Sequence, residues 1–250
     1  MAFCDRFGKA AEQYARHRPR YPAELFSYLA SHVNRHDLAW DAGTGSGQAA
    51  IGLAPHFRRV VATDASAGQL SQALPHERVE YRRIAAEDID LPAHSTDIVT
   101  VAQAVHWFDL DRFYAAVRRV GRPGGSLAIW CYGLPAIADG VDAVLDRFYN
   151  EVTGPYWAPA RKFVDDRYRT LPFPFEEMNP PPEFEFAARW GIDDLFGFLQ
   201  SWSAVAAYRA ARDADPLDEV RDDFTRAWSA LPPTVPVRWP IYLRVGRIAG

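Results

Sequence analysis

Cysteine is scarce in this 250-residue chain, which has only Cys4 and Cys131. The two thiols are far apart in sequence and do not show the spacing of metal ligands, which argues against a disulfide framework and against a metal site. We therefore expect both cysteines to be reduced thiols in a reducing compartment, and we expect no bound metal.

The chain also lacks a long apolar run and an excess of basic charge. No segment approaches the roughly 18 uncharged apolar residues of a membrane span, and the charged first 20 residues do not resemble a signal peptide. The net charge is −4, so no overall positive field attracts nucleic acid or anionic lipid. We expect a cytoplasmic monomer or homodimer whose partner is a small molecule, not a nucleic acid or a membrane.

Apolar strands alternate with helical segments from about residue 36 to 150. Each strand is apolar almost throughout, which is typical of a parallel sheet covered by helices on both faces. Asp109 is expected to begin a helix that ends at Gly121, and Ser66 to cap an earlier one. The predicted strands are 38–42, 59–64, 79–85, 96–103 and 126–132.

The pattern is less regular after residue 150. An irregular connection over 171–182 precedes a possible strand at 183–189, and helices are expected near 193–203 and 216–228. Pro236 and Pro240 should confine the start of the closing segment to an edge or loop, so that 241–248 pairs as a strand. We interpret the chain as one domain with four parts: an N-terminal helical lid (1–35), a core (36–134), a cap with late sheet elements (135–232) and a final strand (233–250).

A glycine-rich loop gives the strongest functional signal. The segment Asp41-Ala42-Gly43-Thr44-Gly45-Ser46-Gly47 lies between a predicted strand and a predicted helix. Glycines there permit a tight turn and close approach of a ligand, and the helix N-terminus favours an anionic group. No Gly-Lys-Ser/Thr follows, which excludes a P-loop.

This loop alone fits two kinds of cofactor. Gly45 to Ala50 also matches the dinucleotide pattern Gly-x-Gly-x-x-Ala, and Asp64, about 20 residues on, suits a ribose contact in either case. Three further features favour a different nucleoside cofactor: Asp41 just before the first glycine, the acidic segment Ala86–Ile89 after the third strand, and the segment Gln103–Phe108 after the fourth.

The chain resembles the class I S-adenosylmethionine-dependent methyltransferases, in particular their small-molecule branch, which includes proteins like trans-aconitate methyltransferase. The resemblance implies a Rossmann-like α/β fold with a seven-stranded, mostly parallel sheet whose last strand is antiparallel, helices on both faces and a helical cap. It covers nearly the whole chain and rests on Tyr14–Pro22, Asp41–Gly47, Asp64-Ala65-Ser66 with Gln69-Leu70, Ala86-Glu87-Asp88, Gln103–Phe108, Arg122–Gly125 and Trp239–Arg247.

The resemblance also implies roles for individual residues toward S-adenosylmethionine and its product S-adenosylhomocysteine. The loop from Asp41 to Gly47 would cradle the methionine part, and Asp64 would bind the ribose. Two positions depart from the family pattern: Thr44 replaces a frequent cysteine, and Gln69 replaces a frequent methionine beside adenine. The implied cofactor-binding residues are Tyr14, Arg18, Asp41, Gly43, Thr44, Gly45, Asp64, Ala65, Gln69, Glu87, Asp88, Ile89, Gln103 and Ala104.

Methyl transfer from a sulfonium is an in-line displacement that needs alignment and exclusion of water, and no metal. The acceptor atom is expected to be an oxygen. If it belongs to a hydroxyl, His106 is the candidate base, and if it belongs to a carboxylate, His106 only positions the acceptor. Trp107 and Trp157 are expected to join His106 in lining the acceptor site, because aromatic residues concentrate in the cap.

Two other functions share the glycine loop and Asp64. One is an NAD(P)-dependent oxidoreductase, but the chain has lysine only at positions 9 and 162 and shows no Tyr-x-x-x-Lys pair for hydride chemistry. The other is a cofactor-binding protein without turnover. Titration with both cofactors distinguishes an oxidoreductase from a methyltransferase. Binding of S-adenosylhomocysteine without any methylated product across a broad acceptor panel would favour the protein without turnover.

Overall fold

A mixed eight-stranded sheet forms the centre of the molecule in the computed structural model, which describes residues 21–178 and 180–249. Tyr14 and Arg18, both expected at the cofactor, lie outside the described residues. The strands are β1 (Leu38–Ala42), β2 (Arg59–Asp64), β3 (Val79–Arg83), β4 (Thr96–Ala102), β5 (Gly121–Tyr132), β6 (Glu176–Glu177), β7 (Phe184–Trp190) and β8 (Val235–Arg247).

Helices connect the strands and build the cap. Short 3-10 turns cover Ala86–Asp88, Val105–Trp107, Gly154–Tyr156, Pro159–Arg161 and Pro216–Glu219, and a π turn covers Phe148–Val152. The described α-helices are α1 (Ala23–Ser31), α2 (Gln48–Leu53), α3 (Ala67–Leu70), α4 (Leu110–Val120), α5 (Asp139–Arg147), α6 (Lys162–Asp165), α7 (Ile192–Gln200), α8 (Ser203–Arg212) and α9 (Arg221–Trp228).

The strand order is β3-β2-β1-β4-β5-β8, with β6 and β7 both paired to the far side of β8. Strands β1 to β5 are parallel, and β8 is antiparallel to β5. This is the predicted Rossmann-like architecture, with the outermost position of the sheet shared by two short strands. The order reverses between β1 and β4, which is where open α/β sheets bind their ligands.

Two apolar clusters cover the two faces of the sheet, which explains why its central strands β1 and β4 are mostly apolar. Neighbouring strand residues point into opposite clusters: Ile98 and Trp130 into one, Val99 and Ile129 into the other, and all four are fully buried. The first cluster continues into the cap helices, and the second is covered by α4. Parallel strands buried in this way carry little polar alternation.

The predicted helix starts agree with the caps in the structure. The Ser66 hydroxyl accepts the backbone N–H of Gln69, and the Asp109 carboxylate accepts that of Arg112. Each side chain satisfies one of the N–H groups that the first turn of a helix leaves unpaired. The helix after Ser66 is only one turn long, shorter than the sequence indicated.

The final strand is longer than predicted. Its first half also pairs, from Val235 to Ile241 along β7, so it is not a loop. In this strand Arg238 exchanges hydrogen bonds with Ala136 on the side opposite β7. Pro236 and Pro240 alternate in step with Arg238, so their missing N–H groups would point to that side. There the first half of the strand forms the bridge to Ala136, and the pairing with β5 begins only at Ile241.

The cap contains helices that the sequence pattern did not separate. Helices α5 and α8 were not predicted, and the expected helix at 216–228 consists of a 3-10 turn followed by α9. Within the residues described, no helix has the length and apolar character needed to cross a membrane.

Candidate functional site

A cavity of about 230 Å³ opens at the carboxyl ends of β1, β2, β4 and β5, beside the point where the strand order reverses. One end is lined by the glycine loop, by the segments after β2 and β3, and by Gln103 and Ala104 after β4. The other end is lined by the cap, by the segment after β5, and by His106 and Trp107 after β4. Those cap and β5 positions are Tyr132, Gly133, Leu134, Trp157, Ala158, Arg161, Phe198, Ser201, Trp202 and Ser203.

The glycine loop takes a left-handed backbone at each of its three glycines. Gly43, Gly45 and Gly47 have φ values of +66°, +56° and +86°. A Cβ atom on Gly43 would lie 2.6 Å from the Cβ of Ala104, so no side chain fits there without displacing the segment after β4. The predicted residues Gly43, Thr44 and Gly45 line the cavity.

Asp41 lies beneath this loop and not on the cavity wall. Its buried carboxylate accepts hydrogen bonds from the hydroxyls of Thr44 (2.5 Å) and Thr100 (2.7 Å). Burial raises the pKa of Asp41 to about 6, against the lowering effect of these hydrogen bonds. Asp41 therefore supports the loop from below, tying β1 to Thr44 and to β4.

Asp64 holds the loop from the side and also lies on the cavity wall. Its two carboxylate oxygens accept the backbone N–H groups of Gly45 (2.9 Å) and Ser66 (2.8 Å). Each carboxylate oxygen has more than one acceptor position, so these bonds leave capacity for ligand hydroxyls. Ala65, also predicted at the cofactor, lines the cavity next to it.

Gln69 presents a buried polar atom to the same region. Its Oε1 has no hydrogen-bond partner among the residues that the structure describes, and the side chain lines the cavity. An acceptor sealed from water without a donor costs free energy, so a ligand that donates a hydrogen bond here would be stabilised. Gln69 therefore suits a nucleoside ligand, although the family pattern often has methionine at this position.

The acidic segment after β3 is only partly directed at the cavity. Glu87 lines it, and its carboxylate also accepts the backbone N–H of Asp109 (2.8 Å). Asp88 forms an ion pair with Arg112, and Ile89 is buried in the core. Neither Asp88 nor Ile89 lies on the cavity wall, in contrast to the prediction from sequence.

Gln103 fixes the turn after β4. Its backbone is left-handed (φ +58°). Its side-chain amide accepts a hydrogen bond from the backbone N–H of Tyr132 (3.1 Å) and donates one to the carbonyl oxygen of the same residue (3.3 Å). The amide therefore extends the pairing of β4 and β5 by one step beyond the regular strands. Gln103 and Ala104 both line the cavity as predicted, but the Gln103 side chain is already engaged by protein.

His106 lines the acceptor end of the cavity and contacts a buried tyrosine. Its Nδ1 lies 2.8 Å from the hydroxyl of Tyr168. Burial, with a contribution from Arg161, lowers the pKa of His106 to about 3, and burial raises that of Tyr168 well above its usual value. Both side chains are therefore neutral near pH 7, and the histidine ring carries a single proton.

The hydrogen bond determines which nitrogen carries that proton. Across 21–178 and 180–249 the Tyr168 hydroxyl has His106 Nδ1 as its one hydrogen-bond partner, and a buried hydroxyl without an acceptor is costly. The phenol therefore donates to Nδ1, and the proton of His106 resides on Nε2. Nε2 forms no hydrogen bond with another described residue and is not among the buried side-chain atoms that lack a partner, so its N–H is accessible at the cavity wall that His106 lines.

Two aromatic residues predicted at the acceptor site also line the cavity. Trp107 stands beside His106, with ring centroids 4.8 Å apart, and is 39% exposed. Trp157 packs against Trp202 at 5.4 Å. The acceptor end is thus a largely aromatic chamber.

Arg161 is the charged residue among the described positions that line this chamber, and no pattern in the sequence predicted it. Its guanidinium lies over the rings of Trp157 (4.6 Å) and Tyr149 (5.3 Å) and donates from Nε to the Tyr149 hydroxyl at 2.8 Å. Nothing in its local sequence, Ala-Pro-Ala-Arg-Lys, marks it as functional. Only the fold brings it near His106, 55 positions earlier.

Comparisons with known proteins agree with this geometry. A family model described as a methyltransferase domain matches residues 40–129. A Dictyostelium discoideum protein named as a methyltransferase is 40% identical, with 96% of this chain and 94% of that protein covered. A solved structure from Anaeromyxobacter dehalogenans, described as a type II methyltransferase, superposes with a TM-score of 0.84 at 47% identity, over 93% of this chain and 98% of that one.

A more distant relative carries the name of a cofactor. A Saccharomyces cerevisiae protein named as an S-adenosylmethionine-dependent methyltransferase is 24% identical, with 83% of this chain and 82% of that protein covered. These likenesses favour a methyltransferase over the oxidoreductase that the glycine loop alone left open. The fold, the loop and the relatives together make the chain a member of the class I S-adenosylmethionine-dependent methyltransferases.

Proposed function

We propose that this protein transfers a methyl group from S-adenosylmethionine to an oxygen atom of a small-molecule acceptor. The observation that carries the proposal is a single cavity with two chemically different ends. One end offers the glycine loop, Asp64 and Glu87, which suit an amino acid joined to a nucleoside. The other end is largely aromatic, as is common where a small molecule binds.

The residues present fit the cofactor. Oε1 of Gln69, which has no partner among the described residues, could accept a hydrogen bond from the cofactor. Gly43 and Gly45 have no side chains, so the cofactor can approach the backbone of the loop. Asp64 would accept the ribose hydroxyls while it keeps its bonds to the loop. Glu87 would face the adenine, and Gly43 to Gly45 would receive the methionine part.

When bound, S-adenosylmethionine supplies a methyl group on a positively charged sulfur, which leaves as a neutral thioether. The task of the protein is to align an acceptor oxygen with that methyl group and to exclude water. The aromatic walls at Trp107 and Trp157 exclude water from the acceptor end. Their π faces also favour a nearby positive charge.

Calorimetry with the purified protein tests cofactor use. We expect S-adenosylhomocysteine to bind and NAD⁺ to give no heat, because the chain belongs to a methyltransferase family and not to the oxidoreductases that share this kind of glycine loop. Asp64→Asn should weaken S-adenosylhomocysteine binding by about 10- to 100-fold, since hydrogen bonds to a charged group contribute about 1.5–3 kcal/mol.

Asp90→Asn is the matched control, because Asp90 forms an exposed ion pair with Arg82 on the same sheet edge and does not line the cavity. It should leave the affinity unchanged. Mass spectrometry of products from an acceptor panel, with hydrolysis to separate esters from ethers, then identifies the methylated atom. Absence of S-adenosylhomocysteine binding by folded protein, or methylation confined to nitrogen, would contradict the proposal.

A further inference from the structure

The charges on the cavity wall are divided between its two ends. The acidic lining residues, Asp64 and Glu87, lie at the end proposed for the cofactor. Among the described lining residues, Arg161 is the sole lysine or arginine, and it lies at the acceptor end. Since His106 is neutral, Arg161 is the cationic group among the described lining residues of that end.

Arg161 is held so that its terminal nitrogens remain available. Its Nε is engaged by the Tyr149 hydroxyl and lies 3.5 Å from a carboxylate oxygen of Asp165. The Tyr149 hydroxyl in turn donates to that same carboxylate. Neither terminal nitrogen makes a hydrogen bond or ion pair with another residue in 21–178 or 180–249, although the side chain is only 20% exposed.

The second donor, Nε2–H of His106, is held by an equally defined arrangement. Arg167 and Tyr168 are consecutive left-handed residues (φ +58° and +57°), an unusual backbone for side chains of this size. Arg244 stabilises this turn by donating to the backbone carbonyls of Tyr168 and Leu171, at 2.7 and 2.9 Å. The turn places the Tyr168 hydroxyl on Nδ1 of His106, which leaves Nε2–H toward the cavity.

We infer that the acceptor carries an acidic oxyanion group and that Arg161 and His106 together anchor it. This inference rests on the proposed function. A planar guanidinium and an imidazole N–H supply directed donors to an oxyanion and no acceptor for its neutral amide counterpart. Tyr149 and Asp165 position the arginine, and Tyr168 positions the histidine.

The test compares acids with their amides. Phenylacetate and phenylacetamide, and hexanoate and hexanamide, are titrated calorimetrically into protein saturated with S-adenosylhomocysteine, and phenyl phosphate serves to distinguish a phosphate from a carboxylate. We expect at least one of the acids or the phosphate to bind and the amides to bind at least 10-fold more weakly. Arg161→Gln should weaken anion binding by about 10- to 100-fold and leave amide binding unchanged.

The matched control is Arg169→Gln, an exposed arginine of the same cap segment that does not line the cavity. Arg161→Lys should recover only part of the affinity, because an ammonium lacks the planar fork. In turnover assays with an anionic acceptor, Arg161→Gln should raise KM more than it lowers kcat. Retained binding of S-adenosylhomocysteine shows that each variant is folded.

Tyr168→Phe tests the positioning of His106. We expect the ¹⁵N spectrum of the His106 ring to show the Nε2–H form in the wild type and a mixture with Nδ1–H in the variant. Arg161→Gln should leave this ring spectrum unchanged.

Three results would overturn the inference. The first is equal binding of acids and amides, the second is binding of none of these probes, and the third is anion binding that Arg161→Gln does not weaken. In each case, binding of S-adenosylhomocysteine, measured separately, would leave the proposed function intact. A protein that binds no S-adenosylhomocysteine would overturn both.

Discussion

The substitution Gly43→Ala, which adds a single methyl group, tests the close contact between the glycine loop and the segment after β4. Gly43→Ala would place a Cβ atom 2.6 Å from Ala104 Cβ and 3.0 Å from the Phe108 ring, on a backbone with φ +66°. The left-handed backbone costs an alanine about 1–2 kcal/mol, and forcing the packed contact apart costs about 1–3 kcal/mol more. We therefore expect Gly43→Ala to lower the free energy of unfolding by about 2–5 kcal/mol.

Gly124 offers a matched control for the backbone contribution. Its φ is +79°, but a Cβ atom there would meet no other atom within 4 Å. Gly124→Ala should therefore cost only about 1–2 kcal/mol. Any effect of alanine on the unfolded chain is common to both variants and cancels in their difference.

The assay is urea unfolding of both variants, followed by circular dichroism. Ala104→Gly, introduced into the Gly43→Ala background, removes the closest contact and should return part of the lost stability, which a double-mutant cycle isolates. Equal destabilisation by Gly43→Ala and Gly124→Ala, with no coupling to position 104, would refute the idea that this loop is glycine-rich because of close packing.

Two further predictions concern groups beneath and beside the loop. Asp41 has a pKa raised from 3.8 to about 6 in the folded protein, so the folded state binds its proton more tightly than the unfolded state does. The free energy of unfolding should therefore fall by about 2 kcal/mol relative to Asp41→Asn as pH rises from 4 to 6, as measured by urea unfolding at each pH. A flat difference between the two proteins over this range would contradict it. Gln103→Ala should lower Tm by about 4–8 °C because two hydrogen bonds to Tyr132 are lost. Gln72→Ala, at an exposed position, is the control and should leave Tm unchanged. Equal Tm values for the two variants would show that the Gln103 amide does not contribute to stability.

The sheet and the glycine loop could be predicted because their signals are local. Apolar strands such as β1 and β4 are recognisable without knowledge of their neighbours, and the alternation with helices limits how they can be ordered. The loop is similar, since a strand, three glycines and a downstream acid all lie within residues 38–64. The caps at Ser66 and Asp109 depend on three-residue spacings and were also recognisable.

The acceptor end could not be predicted in the same way. The roles inferred for Arg161 and Tyr168 depend on interactions with His106, which lies 55 and 62 positions earlier in the sequence. No sequence spacing predicts interactions over such separations. Asp88 was placed at the cofactor because it adjoins Glu87, but successive residues of a 3-10 turn point in different directions. Its carboxylate reaches Arg112 instead.

The position of β8 has a consequence for how the protein is made. This strand lies between β5 on one side and β6 and β7 on the other, yet it comes last in the sequence. While a ribosome is still translating the cap, the outer edge of β5 has no strand to pair with and remains open to pairing with other chains. Biosynthesis of this enzyme therefore includes a vulnerable interval that closes only when β8 emerges, and chaperone protection of β5 would be most valuable during it.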